Sequence, residues 1–291
     1  MRKILVLVVT VMLIFSERER TVAQSEYFGQ EDILATSSEF EKVSALYDEM
    51  IKSLAAFEGI SAENAVIDYE RAVKIYADTD IFQLDTDDGE TILEFLGEGE
   101  HIWMVPASLN GKKYLFTISK GHPLTEDAKE VLTLEEQQEV IDREGNWFVC
   151  GIEEADEGFW EKVNARSKEL EGCQQAVIIV DLPGFQYPVV LGIKEGKAAR
   201  WINIGYDNPV MDDVQADTQT MSKSVNTTQE GVYEFHELAD RVESYYNLSS
   251  GESGGTGSRA EQNTVYWGYI LSAVLVGSIL VAIILKKSKS R

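Results

Sequence analysis

The chain is poor in the residue types that usually build metal and nucleophilic sites. Its 291 residues include only two cysteines and three histidines. The cysteines, Cys150 and Cys173, have no CxxC spacing and no histidine close to them in sequence. This argues against a zinc site and against a cysteine nucleophile. We therefore predict no catalytic residues, no metal ligands and no cofactor.

Three short stretches approach known site motifs but lack the context that those motifs need. Residues 251–255 match G-x-S-x-G, yet they lie in a Gly/Ser-rich segment instead of between a strand and a helix. Residues 85–90 begin like an EF-hand loop, but the glycine falls at position five. A helix N-terminus that favours carboxylates explains this acidic cluster better. The stretch at 236–240 lacks the second histidine of a metalloprotease helix.

Basic residues are also scarce, with 26 Lys+Arg against 50 Asp+Glu. Residues 24–264 alone hold 18 basic and 48 acidic residues, a net charge of −30. A surface this acidic repels nucleic acid and anionic headgroups. We expect a soluble acidic domain with no nucleic-acid partner.

Charge is absent from one long stretch near the C-terminus, residues 266–285. Twenty helical residues rise about 30 Å, the thickness of a bilayer core. Four basic residues follow directly, which favours a cytoplasmic position for the tail. We predict a transmembrane helix over 265–285, so that the membrane is one partner of the chain.

The N-terminus predicts the same topology. Arg2 and Lys3 precede an apolar run over 4–15, which is typical of a signal peptide. We place the signal peptide at 1–23 and keep an uncleaved anchor as the alternative. The predicted location is the cell membrane, single-pass, with the N-terminus outside and the C-terminus in the cytoplasm.

Helical and strand periodicities alternate through the middle of the chain. This pattern predicts an α+β fold in which antiparallel hairpins pack with several helices. Apolar steps of three and four predict a helix over 36–59, and Asn110-Gly111 predicts a hairpin over 101–119. A second hairpin is expected around Glu195-Gly196. A charged helix is expected over 125–144, with its apolar residues inside: Val131, Leu134, Val140 and Ile141.

The full predicted organisation adds linkers at both ends of this domain. The segments are a signal peptide (1–23), a disordered N-terminal segment (24–35), an α+β extracellular domain (36–206), a polar loop (207–231), a helix (232–246), a flexible stalk (247–264), the transmembrane helix (265–285) and a basic cytoplasmic tail (286–291).

The two cysteines are the first candidate site. Cys150 lies in a predicted strand that begins at Trp147, and Cys173 directly precedes a β-branched strand at 176–180. In an oxidising exterior two cysteines of one domain usually pair. We predict a Cys150–Cys173 disulfide, with two free buried thiols as the alternative.

The second candidate site is the loop at 181–188, which carries two prolines and two aromatic residues. Prolines lower the cost of ordering a loop on binding. We therefore predict Phe185 and Tyr187 as partner contacts. The alternative is that both rings pack in the core.

The leading functional interpretation is a single-pass bacterial surface protein whose acidic ectodomain binds a partner protein or an envelope component, without enzymatic activity. One alternative is an extracytoplasmic hydrolase whose site is not visible in the sequence. Another is a structural subunit of a membrane complex. The sequence leaves the ligand and the oligomeric state open.

Overall fold

The structure, a computed structural model, describes residues 27–155, 167–180, 182, 185, 188–204, 231–240 and 242. These residues form a mixed α+β fold that divides into two compact units. The first unit contains 34–75 and 100–155, and the second contains the other described residues. Each unit has its own buried apolar core.

The elements follow one another in an alternating order. The helices are α1 (Phe40–Ser44), α2 (Tyr47–Glu58), α3 (Gly89–Glu98), α4 (Glu126–Val131) and α5 (Leu134–Arg143). The strands are β1 (Val66–Ile67), β2 (Val73–Ala77), β3 (Glu100–Leu109), β4 (Lys112–Lys120), β5 (Trp147–Glu154), β6 (Gln175–Ile179), β7 (Val189–Lys194), β8 (Lys197–Asn203) and β9 (Val232–Glu234). Single 3₁₀ turns occupy Gln30–Asp32, Leu34–Thr36, Ile81–Leu84 and Ser167–Leu170.

In the first unit, β4 lies between β3 and β5, and both pairs are antiparallel. The turn between β3 and β4 is Asn110-Gly111, with φ values of 54° and 83°. Positive φ at both positions is what a type I′ hairpin turn requires, and Asn-Gly is strongly preferred there. The predicted hairpin over 101–119 is therefore confirmed.

Helices α1 and α2 cover one face of these strands. Val43, Met50 and Leu54 are fully buried and join a core that contains Trp103 and other large side chains. Gly59 ends α2 in the left-handed conformation, at φ 69°. The apolar stripe was correctly predicted as helical, but the helix is interrupted between Ser44 and Tyr47.

In the second unit, β6, β7, β8 and β9 pair antiparallel in that order. Asp88 caps α3, because its carboxylate accepts a hydrogen bond from the Thr91 amide at 2.9 Å. The acidic cluster at 85–90 is thus a helix N-terminus, as expected. The hairpin at Glu195-Gly196, with φ values of 53° and 76°, is also confirmed.

Two segment predictions differ from the structure. The segment 24–35 was expected to be disordered, yet Leu34 is fully buried and its amide donates to the Ala72 carbonyl at 2.9 Å. The helix expected over 232–246 begins later, since Val232–Glu234 is strand β9 and residues 235–240 are helical. Pairing with β8 explains the strand.

The predicted fold class needs a correction as well. It combined the α+β domain with a C-terminal transmembrane helix, whereas no helix within the described ranges is long and apolar enough to cross a membrane. The stretch 265–285 lies outside the described residues, as do 1–23, the polar segment 207–230, the stalk at 247–264 and the tail at 286–291.

Candidate interaction surface

A helical arm interrupts the sheet of the first unit between β4 and β5. We call residues 125–144, which contain α4 and α5, the arm. Thr125 caps α4 by accepting from the Ala128 amide at 3.2 Å. Thr133 starts a new helix, because it forms a reciprocal capping box with Glu136. The single helix predicted over 125–144 is therefore two helices.

The two helices are tied to each other by Gln137. Its side-chain amide donates to the carbonyls of Lys129 and Leu132, at 3.0 and 2.9 Å. These carbonyls stand at the end of α4, where no intrahelical donor remains for them. The arm thus has a defined internal geometry.

Three apolar side chains of the arm face solvent. Val131 is 77% exposed, Leu134 84% and Ile141 48%, and neither α4 nor α5 contains a buried residue. Leu134 and Ile141 are seven residues apart, so they lie on one face of α5. The prediction that the apolar residues lie inside was wrong for Val131, Leu134 and Ile141, whereas Val140 is half-buried. Their spacing indicates a helix, but it cannot indicate what covers the apolar stripe.

The arm is also strongly acidic. Between 126 and 144 the chain carries eight acidic and two basic residues, a net charge of −6. Both basic residues are paired within the arm: Lys129 with Glu126 at 2.7 Å, and Arg143 with Glu139 at 2.6 Å. The arm therefore presents exposed apolar side chains in a strongly negative environment.

The base of the arm is tightly packed. Gly121 donates to the Asn146 carbonyl at 3.0 Å and accepts from the Gly145 amide at 2.8 Å. A Cβ at Gly121 would lie 2.1 Å from the Arg143 carbonyl oxygen, so only glycine fits there. The Arg143 guanidinium lies 4.8 Å from the centre of the Phe148 ring. These contacts fix where the arm leaves the sheet.

A polar network lies beside this base. The Glu39 network consists of Glu39, His101, Trp103, Lys120 and Trp147. One Glu39 carboxylate oxygen lies 2.8 Å from His101 Nε2 and accepts from Trp103 Nε1 at 2.9 Å. The other oxygen is 3.4 Å from Lys120 Nζ, which also lies 4.8 Å from the centre of the Trp147 ring.

The network holds Glu39 in its charged form. Burial alone would raise the pKa of Glu39. The hydrogen bond and charge of His101, the Trp103 N–H and the charge of Lys120 together lower the pKa to about 2. With this pKa, Glu39 stays ionised at neutral pH and accepts hydrogen bonds from its three neighbours. Glu39 directly precedes α1, so these contacts link the start of α1 to β3 and β4.

Sequence reasoning missed this network because its members are far apart in the chain. Glu39 is 62 residues from His101 and 81 from Lys120. One signal was available. The Asn110-Gly111 turn sets the register of β3 and β4, which places His101 and Lys120 near each other at the open end of the hairpin.

The predicted disulfide is not formed in the structure, where Cys150 and Cys173 are both free. Cys150 lies on β5, which pairs with β4, and its thiol donates to the Thr117 carbonyl at 3.3 Å. Cys173 belongs to the second unit and packs against Gly192. Burial raises the pKa of Cys150 to about 11, so its thiol stays protonated.

Phe185 does not present a contact surface. It is 6% exposed and packs in the core of the second unit, with its ring centre 5.1 Å from that of Trp201 and 6.1 Å from that of Phe82. The core alternative is correct for this ring, because an apolar pocket of aromatic side chains receives it. Tyr187 lies outside the described residues.

Comparisons with other proteins assign the chain to no family. No family model matches the chain, and no curated protein or solved structure matches it significantly. Within the described residues, no group of three or more His, Cys, Asp or Glu side chains is arranged to hold a metal ion. Any function must therefore be argued from the surface itself.

Proposed function

We propose that this protein is a binding module that engages a partner macromolecule through the arm. The observation that carries the proposal is the exposure of Val131 and Leu134, 77% and 84%, on a helix pair without a buried residue. Burying a Val, Leu or Ile side chain stabilises a complex by about 1.5–3 kcal/mol. An apolar helix face that its own fold does not cover is a standard docking element.

The way the arm is held supports the same proposal. Its base is fixed by the Gly121 contacts and by strand pairing of Lys120 with Trp147. Lys120 and Trp147 are themselves members of the Glu39 network, through Glu39 and His101. A surface that is already ordered loses less conformational entropy on binding than a flexible one. The arm therefore combines apolar area with a fixed position.

The proposal is tested by comparing the size of native assemblies. The full chain is extracted from its own cells under mild conditions and separated on a native gel. We expect the wild type to migrate in a complex larger than the single chain of 32.6 kDa. The double variant Leu134→Ser/Ile141→Ser should lose this complex. Val66→Ser, which alters a 62% exposed apolar residue on β1, is the matched control and should retain it.

An extracytoplasmic location belongs to this proposal and rests on the sequence of residues 1–23. The partner would then be a protein or another component of the cell envelope. Protease added to intact cells should degrade the acidic domain. Full protection of the domain in intact cells, with degradation after lysis, would contradict the location.

A further inference from the structure

We propose that the partner segment bound by the arm is a cationic amphipathic peptide, with basic side chains that flank an apolar stripe. This inference rests on the proposed function and deepens it, since it names the chemistry of the occupant. Three features of the arm lead to it: the apolar face, the charges beside that face, and the pairing of the arm's own cations.

The apolar face is narrow and has an acidic edge. On an α-helix, each residue turns the side-chain direction by about 100°, so Leu134 and Ile141 lie about 20° apart. Glu135 and Asp142 then lie about 80–100° to one side of Leu134, along one edge of the face. Gln138 lies between them and the apolar residues, and its amide donates to Asp142 at 2.9 Å. A helix that covers Leu134 and Ile141 would place its own flank against these carboxylates.

The charge balance selects among the possible occupants. Lys129 and Arg143 each pair with a glutamate of the arm, so the arm holds no cation without an acidic neighbour. A second copy of this chain would bring two arms of net charge −6 together, and an anionic bilayer would be repelled in the same way. Basic side chains on the partner remove this repulsion and speed association. The arm is therefore complementary to a basic segment and opposed to an acidic one.

The test uses the purified full chain and defined synthetic probes. The first probe is a fluorescein-labelled 14-residue peptide of leucine and lysine, with leucines at positions i, i+3, i+4 and i+7. The second carries glutamate in place of lysine, and the third carries serine in place of leucine. Fluorescence anisotropy measures Kd for each probe at low and at high salt.

We expect only the leucine–lysine probe to bind, with an affinity that falls several-fold at high salt. Leu134→Ser/Ile141→Ser should weaken its binding at least tenfold, and Glu135→Gln/Asp142→Asn should weaken it several-fold and flatten the salt dependence. Val66→Ser should have no effect. All of these positions are exposed, and all except Val66 lie in the arm. An unchanged unfolding midpoint therefore checks that each variant folds. If the double variant Leu134→Ser/Ile141→Ser unfolds, the binding measurement is made with Leu134→Ser alone.

Two results would overturn the inference. The first is equal binding of the lysine and glutamate probes, and the second is binding that the arm substitutions leave unchanged. If neither probe binds while Leu134→Ser/Ile141→Ser still dissolves the native complex, the arm is an interaction surface and the cationic partner is wrong. If neither probe binds and the complex persists in the variant, both proposals fail. Concentration-dependent dimerisation of the wild type through residue 134 would identify a second copy as the occupant.

Discussion

Replacing Glu39 by alanine removes the acceptor that three side chains of the first unit share. Trp103 is fully buried, so its N–H would lose its partner without gaining water, at a cost of about 1–3 kcal/mol. The His101 and Lys120 side chains are 15% and 38% exposed and can be partly hydrated, which limits their contribution. We therefore expect a loss of about 2–4 kcal/mol in the free energy of unfolding.

Urea or guanidinium denaturation, monitored by tryptophan fluorescence, measures this loss. Glu41→Ala is the matched control, since Glu41 lies two residues away in α1 with an exposed side chain. It should change the stability by less than about 0.5 kcal/mol. If Glu39→Ala is no more destabilising than Glu41→Ala, the Glu39 network does not hold α1 on the strands and the reasoning is refuted.

Three further predictions concern pH, the base of the arm and the second core. Because the pKa of Glu39 is lowered from 4.5 to about 2, its contribution is complete above pH 4.5 and is lost as the pH falls towards 2. The stability difference between wild type and Glu39→Gln should accordingly shrink from about 1–2 kcal/mol at pH 7 to near zero at pH 2, and a constant difference would contradict the linkage. Gly121→Ala should cost about 1–3 kcal/mol through overlap with the Arg143 carbonyl, whereas Gly97→Ala, with open space around it, should be neutral or stabilising in the same denaturation assay. Phe185→Ala should cost about 3–5 kcal/mol and lower the melting temperature, while a normal melting temperature would mean that the ring is not part of the core.

Local patterns in the sequence predicted the local structure well. The Asn110-Gly111 hairpin follows from backbone conformations that few other residues adopt, and the stripe through Val43, Met50 and Leu54 follows from helical spacing. The acidic turn before α3 was also correctly assigned, since Asp88 is a favoured cap. Each of these features depends on residues that are neighbours in the chain.

The candidate surface could not be predicted in the same way. The spacing of Leu134 and Ile141 is the same whether a helix packs on its own domain or faces solvent, and the difference is made by elements elsewhere in the chain. The Glu39 network joins the residue directly before α1 to residues of β3, β4 and β5, so it requires the register of two strand pairs and the position of a helix. The structure has both cysteines free: Cys150 lies on β5, which pairs with β4, and Cys173 precedes β6, which pairs with β7. Position in the sequence alone does not decide which strands pair.

The central claim, that one face of α5 contacts a partner, is tested most directly by site-specific photocrosslinking in the cells that make this protein. A photoreactive residue is placed in the full chain at position 134 or 141 on the apolar face, or at position 136 on the opposite side of the helix. We predict strong adducts of a single partner from positions 134 and 141 and weak ones from position 136. Equal yields from all three positions, or no adduct at 134 and 141, would contradict the claim.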